Sequence, residues 1–444
     1  MNKNKKHDKR NQLDIILTDL QPNEVPQIYT LKNFYNYLVT NKVMKRISRD
    51  KNEDEKKFDS SWHAAPLKIF VLKDNNEYRE ISFINPLSMM EVYLYLERYE
   101  KIILNFFKKD SFSIRTHRKR DNLLFKRVNN NIIEYADQAI LQNESAGNYY
   151  DRFPYQQLDH FYKSDEWHDL NRKYKFFAKL DYSKCFDSIY THTFNWIIAS
   201  NVQEAKRLDE GHFLSATDKL LQNMNMSITN GIVVGPEFSR FLSEIIFQSV
   251  DRNIMYSLNC QGLQNGLDYE IKRYVDDFFV FVKKEENVDK IINEIAKSSN
   301  RFKLRLNYEK EEKGKLPHIW SEWINEINLF LNELEKSIFY PYSDENTYLL
   351  REQRLLPQRS VSKLKDMFQT VIVSDEKMNV KIVSYCFSFI YRKFFGCISN
   401  ESKKTIFKMQ FIIYMISYFI FIHLLLHTAI LINLLALYIL LKMK

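Results

Sequence analysis

Tyr274-Val275-Asp276-Asp277 sets two carboxylates side by side at the junction of two strand patterns. Before it, Tyr269 to Val275 alternates apolar and polar side chains, and after it Phe278-Phe279-Val280-Phe281-Val282 is a buried-strand run. The pair is therefore expected at the tip of a hairpin. Adjacent anions repel unless a cation lies between or beside them, so the tetrapeptide points to a divalent metal site. Ordinary turn chemistry between two strands yields the same four residues. The choice between these readings depends on partners elsewhere in the chain.

One partner lies upstream. Phe176-Phe177-Ala178-Lys179-Leu180 reads as a buried strand ending in Asp181, with Phe186 at the turn into a helix expected from about Thr191. If Asp181 and Asp276 approach each other, they form the carboxylate pair that holds two divalent cations; otherwise Asp181 is a strand-end turn residue and Phe186 a core aromatic. A second stretch, Thr229 to Arg240, brackets an apolar triplet between Gly231 and Gly235, and Pro236 then opens a helix with Phe238, Phe241, Leu242, Ile245 and Ile246 as its buried stripe. A chain with only 8 glycines spends two here, which points either to close backbone approach by a ligand or template or to a loop-to-helix turn. After the hairpin, a helix from Ile291 is followed by a turn and strand that carry Lys310 back toward the carboxylates. There it can neutralise or protonate a leaving pyrophosphate, or it is one more solvated charge among Glu309, Glu311 and Glu312. Upstream of all these, Leu67–Lys73 and Glu77–Ile84 flank Asp74-Asn75-Asn76 as a second hairpin. Its Lys73 and Arg79 suit a triphosphate, or merely keep the hairpin soluble.

At 444 residues the chain has room for two or three domains. Its 65 Lys+Arg against 56 Asp+Glu and its 15% aromatic residues suit phosphates and unpaired bases. The four cysteines show no metal-ligand spacing and read as reduced thiols, and the polar N-terminus lacks the apolar core of a secretory signal. Residues 1–60 read as a charged lead-in with one amphipathic helix near Leu31 to Val43. A helix follows from Leu87 to about Phe107, then a basic cluster of Arg115, His117, Arg118, Lys119 and Arg120, read as tracking a nucleic-acid backbone or as a solvated charged loop. Beyond Pro317 the pattern turns helical. From Met409 to Leu441 no charged residue appears, enough for one tilted membrane-spanning helix, with a buried helix as the competing reading.

The order of these signals resembles the palm of a reverse transcriptase: a strand with Asp181 and Phe186, a glycine turn and helix, the Tyr-Val-Asp-Asp hairpin, then Asn307 and Lys310, with a fingers-like block around Arg79 ahead of them. Leu180 to His192 and Thr229 to Ser239 are similar to the bacterial abortive-phage-infection, or defence-associated, group. Where the family usually carries Pro-Gln-Gly, this chain has Val233-Val234-Gly235, a departure that bears on template-directed handling of the base pair.

The resemblance implies an α+β right-hand polymerase fold, followed by a helical C-terminal region and an apolar terminal helix. The expected divisions are an N-terminal extension at 1–60, fingers at 61–175, a palm with an antiparallel sheet at 176–317, a helical thumb-like region at 318–400 and the apolar helix at 409–441. It also implies catalysis by Asp181, Asp276 and Asp277 holding Mg²⁺, or Mn²⁺ in its place. Phe186 would exclude a ribose 2′-hydroxyl, Arg79 and Lys73 would bind the triphosphate with Lys310 assisting, and Gly235 would shape the pocket of the nascent pair. Expected partners are deoxynucleoside triphosphates, DNA or RNA and further copies of the chain. The expected location is cytoplasmic, with residues 409–441 as a contact to a membrane. Members of the group are associated with phage defence, with homo-oligomers and, in some cases, with protein-primed DNA synthesis without a template, and the expected activity of this chain is RNA-directed or template-independent DNA synthesis. The alternative is a non-catalytic nucleic-acid-binding protein acting at a membrane through its C-terminal helix.

Overall fold

Alternation and turn chemistry close the chain locally before any long-range contact is needed. The computed structural model describes residues 12–22, 31–44, 63–72, 78–121, 148–199, 202–208, 211–317, 323–341 and 348–350, with single positions between 363 and 389. Helix α1 (Lys32–Thr40) matches the amphipathic stretch near Leu31. Strands β1 (Leu67–Leu72) and β2 (Tyr78–Phe83) pair antiparallel, with Val71 opposite Arg79 and Ile69 opposite Ile81. Asn85 then caps α2 (Pro86–Phe106) by accepting the Leu87 N–H, and Pro86 occupies the first turn, where its missing donor costs nothing. Strands β3 (Arg115–Arg120) and β4 (Tyr150–Pro154) form another antiparallel pair, and two short helices follow, α3 (Leu158–Tyr162) and α4 (Asp165–Lys173).

The central sheet is built from β5 (Phe176–Leu180), β6 (Tyr269–Tyr274), β7 (Asp277–Val282) and β8 (Glu312–Lys315), all antiparallel, in the order β6-β7-β5-β8. Between β5 and β6 come α5 (Cys185–Ser188), α6 (Phe213–Met224) and α7 (Glu237–Cys260); α8 (Val288–Asn300) links β7 to β8. Both faces of β7 are covered, which explains its uninterrupted apolar run. Phe278, Val280 and Val282 join Ala178, Leu180, Ile271 and the apolar stripes of α7 and α8 in the main core. Phe279 and Phe281 face the other way, against Phe161, Trp167, Leu170 and Tyr174 of α3, α4 and the turn after them.

The structure corrects several expectations. The N-terminal region is more than a charged lead-in: Leu13, Ile15, Ile16 and Leu20 are buried in the main core. Asp19 accepts the Tyr149 and Tyr150 N–H groups, its carbonyl accepts the Phe238 N–H, and Pro22 pairs with Pro236. Leu13, Ile15 and Ile16 sit in a six-residue 3₁₀ helix, Gln12–Leu17, with Leu20 just past it, too short a run for a periodicity to be seen. The helix expected from Thr191 is instead the brief α5 followed by a 3₁₀ turn, Thr191–Ile197. Pro236 is the residue before α7 and not its first helical position. The helical pattern beyond Pro317 is α9 (Trp323–Ile338), whose buried stripe is Ile327, Phe330, Leu331 and Leu334. Lys73, Cys397 and the apolar run 409–441 lie outside the described residues, as does most of 339–400. Among the described residues no helix is long and apolar enough to cross a membrane.

Candidate active site at the aspartate hairpin

Strands β6 and β7 meet through Tyr274 opposite Asp277, leaving Val275-Asp276 as a two-residue turn. Val275 has φ +58°, a left-handed conformation that a β-branched residue adopts only when its surroundings hold it there. Leu180 of β5 pairs with Phe278 of β7, so the next step of the register sets Asp181 opposite Asp277. Side chains on adjacent positions of one rung share a face. Lys310 arrives from the far side: its Nζ lies 3.1 Å from Asp181 Oδ2, and the Asp181 carbonyl accepts the Asn307 N–H at 2.8 Å.

The charge of Asp181 bears on both Asp276 and Asp277. Burial, then the charges of Asp276 and Asp181, push Asp277 up to about 7, against the weaker pull of Lys179 and Lys310. Burial and the Asp181 charge likewise raise Asp276, opposed by its own backbone N–H and by Arg240 and Arg79. Lys310 is held above the ordinary lysine range: burial opposes this, and the hydrogen bond to Asp181 and the three aspartate charges outweigh it. The Cys185 thiol beneath is fully buried and pushed well up by burial, then by Asp276 and Asp181, so it stays protonated and inert.

These groups suit a hard divalent cation chemically, since carboxylate oxygens are the preferred ligands of Mg²⁺ and the mutual repulsion is what such an ion cancels. Among the described residues no three or more His, Cys, Asp or Glu side chains close tightly enough to form a ligand cluster by themselves. The donor set fits, and the remaining ligands of an octahedral ion would come from water and substrate.

The glycine stretch is knitted to the segment after Asp181. Ile232 N–H donates to the Phe186 carbonyl and Gly231 N–H to that of Ile189. Phe186 is half-buried and packs on the main core. Gly235, at φ +119°, has no room for a side chain: a Cβ would lie 2.6 Å from Ile81 Cγ2 and 3.1 Å from Pro22 Cβ. The close approach assigned to a ligand or template is thus made, at this glycine, by β2 and the N-terminal segment. Ser82 N–H donates to the Val234 carbonyl at 2.8 Å, docking the β1–β2 hairpin on this turn. Arg79, exposed and two residues before Ile81, lies on the Ile81 face of that hairpin.

The basic cluster at 115–120 was expected to track a backbone or to be solvated, and most of it does neither. Arg115 Nη1 and His117 Nε2 reach Glu237 Oε1 at 2.7 and 3.0 Å, Arg240 Nη1 reaches Oε2 at 2.9 Å, and Arg120 pairs with Glu100. Arg115, His117 and Glu237 are buried, and only Arg118 and Lys119 are exposed. Burial would raise the Glu237 acid, but His117, Arg115 and Arg152 hold it well below the ordinary range. Arg240 and Arg273 escaped the sequence reading; the one available signal was Arg273 standing at a core-facing step of an alternating strand.

A pH dependence follows from these shifts. Asp277 is raised in the fold, so without divalent cation it opposes folding fully above about 7, and that penalty shrinks as pH falls below about 7 and is gone below the ordinary carboxylate value of 3.8. Glu237 is depressed, so its contribution is complete above 4.5 and is lost as pH falls below that. Thermal melting in chelator is therefore expected to rise as pH falls below about 7 and to peak at roughly pH 4 to 4.5, where the Glu237 contribution begins to be lost, and added Mg²⁺ should flatten that rise. A melting temperature that falls steadily from pH 8 to 5 in chelator would contradict it.

Residues 72–349 match the family described as reverse transcriptase (RNA-dependent DNA polymerase). Among solved structures, the chain is similar to apo telomerase from Candida tropicalis truncated from its C-terminal domain, at 14% identity, covering 58% of this chain and 51% of that one, with a TM-score of 0.34. It is also similar to Candida albicans telomerase in complex with a TWJ fragment of telomeric RNA, at 11% identity, covering 84% and 60%, with a TM-score of 0.34. The chain thus spans between half and two thirds of the length of these structures. No curated protein matches it.

Proposed function

Because this chain belongs to the reverse transcriptase (RNA-dependent DNA polymerase) family, a family of nucleotidyltransferases, we propose that it adds deoxynucleotides to a 3′-hydroxyl or a protein hydroxyl at the aspartate hairpin. What supports the reading most is the convergence of Asp181 with Asp276 and Asp277, one step past the Leu180–Phe278 pair and with Lys310 on Asp181. Asp181, Asp276 and Asp277 would hold Mg²⁺, or Mn²⁺ in its place; when bound, the metal supplies Lewis-acid activation of the attacking hydroxyl and charge neutralisation on the triphosphate. Lys310 is charged and placed to donate to the departing pyrophosphate. Arg79, on the hairpin docked over the glycine turn, reaches for the triphosphate as a bidentate fork, and Lys73 is proposed to bind it as well. Gly235 keeps that docking close, and through it the shape of the pocket for the nascent pair.

Phe186 is proposed to exclude a ribose 2′-hydroxyl. Phe186→Ala is expected to raise ribonucleotide over deoxynucleotide incorporation by roughly 10- to 200-fold, the range a shape-based pocket commands. Competition between matched nucleotides reads this directly, and an unchanged ratio would remove Phe186 from the role.

The biological setting proposed is antiphage defence in the cytoplasm, by RNA-directed or template-independent synthesis in a homo-oligomer, with 409–441 as a membrane contact. Purified full-length chain with deoxynucleotides and Mg²⁺, with and without an RNA template, followed by product sequencing, tests the activity and the template requirement together. Equal incorporation by the parent and Asp276→Ala would reject the polymerase reading.

A further inference from the structure

The register of β6 puts Tyr269, Ile271 and Arg273 on its buried side. Arg273 is fully buried where an apolar residue would ordinarily pack. A guanidinium taken out of water is tolerated only with its donors satisfied. All five N–H groups are used here. Nε donates to Asp251 Oδ1 at 2.9 Å, and Nη2 donates to Asp251 Oδ2 at 2.7 Å and to Glu244 Oε1 at 3.0 Å. Nη1 donates to Glu244 Oε2 at 3.0 Å, and the fifth bond goes to the Val275 carbonyl at 2.7 Å. Glu244 and Asp251 stand on one face of α7, two turns apart, and Asp251 also accepts the Phe112 N–H.

That fifth bond lands on the one residue of the turn with a left-handed backbone, the residue immediately before Asp276. The backbone of Arg273 is fixed separately: its N–H donates to the Phe112 carbonyl at 2.8 Å and its own carbonyl accepts the Ile114 N–H at 2.9 Å. The side chain is therefore not needed to keep β6 in the sheet. Its distinctive contribution is to tie the turn to α7.

We infer that Arg273 is a positioning residue, clamped by Glu244 and Asp251, that holds Val275 in its left-handed conformation and so sets where the Asp276 and Asp277 side chains point. Lysine cannot substitute, because an ammonium has three donors and no planar fork with which to span two carboxylates and a carbonyl. This inference rests on the proposed polymerase reading only for its catalytic readout.

The test uses the full-length chain with Arg273→Lys, Arg273→Lys/Val275→Gly and, as a stability control on another element, Glu100→Gln, which weakens the pair of the buried Glu100 with the half-buried Arg120. Three quantities are measured: kcat and KM for a deoxynucleotide, Mn²⁺ affinity by electron paramagnetic resonance of the free ion, and melting temperature. Arg273→Lys is expected to lower kcat about 100-fold with KM changed less than about threefold, the signature of misplaced catalytic groups, and to weaken Mn²⁺ binding about tenfold. Val275→Gly in the same background should restore kcat and Mn²⁺ affinity by about tenfold, since glycine takes a positive φ without a clash. Glu100→Gln should lower the melting temperature and leave kcat and Mn²⁺ affinity unchanged. Parental Mn²⁺ affinity in Arg273→Lys, or a double variant no better than the single one, would overturn the assignment. A parent chain that incorporates nothing would refute the polymerase reading alone, because the Mn²⁺ measurements still report on the turn.

Discussion

Asp181→Asn is expected to lower nucleotide incorporation about 1,000-fold or more while the variant folds at least as stably as the parent. The magnitude comes from removing one anionic ligand from a site whose proposed metal contributes several kcal/mol to the barrier, each 1.4 kcal/mol being about tenfold. The fold should tolerate the change because asparagine is isosteric and the Asp181 carbonyl, which accepts the Asn307 N–H, is retained. Asp181 also raises the acids of Asp276 and Asp277 by its charge, so its neutralisation relieves repulsion in the folded state. Lys310 loses its ionic partner at 3.1 Å, a pair half open to water and therefore of small consequence for stability. Single-turnover incorporation and thermal melting, both in chelator-treated and Mg²⁺-loaded protein, check the two halves. A variant that melts well below the parent would mean that Asp181 serves the fold, and one that incorporates normally would remove it from the chemistry.

Glu237→Ala is expected to cost about 3–5 kcal/mol of stability, the range for breaking a buried ion pair by removing one partner. The carboxylate at the start of α7 receives Arg115, His117, Arg152 and Arg240. Its loss leaves Arg115 and Arg152 desolvated, and Arg152 is already lowered, by burial and then by the neighbouring arginines against the pull of Glu237. Replacing Arg115 by Met in the Glu237→Ala background should recover part of the loss, because it removes an uncompensated buried cation. Denaturant unfolding of the four proteins in the cycle measures this coupling. A loss under about 1 kcal/mol would place the cluster among ordinary solvated pairs.

These two predictions differ in how visible their origins were in the sequence. The hairpin around Val275-Asp276 was legible because alternation and an apolar run on either side of a short polar turn are encoded within fourteen consecutive residues, Tyr269 to Val282. The strand ending at Asp181, the hairpin bearing Arg79 and the helix after Gly235 were legible for the same reason. Glu237 was not. Read locally it is a first-turn acidic residue of a helix, the commonest solvated position for such a group, and its cations come from strands that lie far away along the chain. The basic run at 115–120 misled in the opposite direction: density of charge suggested a wet surface, while the fold turns Arg115 and His117 inward onto Glu237 and pairs Arg120 with Glu100. The apolar residues of 13–20 fall in a short 3₁₀ helix and the turn after it, and nothing in so short a segment signals that Asp19 and Pro22 complete the packing around Tyr149, Tyr150 and Gly235.

By itself, then, the sequence determined which short segments become strands, turns and helices and which carboxylates stand at strand ends, because the period of side-chain burial and the chemistry of turns are properties of a few neighbouring residues. Only the tertiary structure decided that Asp181 comes beside the hairpin carboxylates, that Lys310 returns to it, and that Arg273 points inward and bonds the Val275 carbonyl. Those outcomes depend on the pairing order of four strands and on one long helix laid beneath them, and the energy of a buried charge is set by partners that have no sequence proximity to announce them.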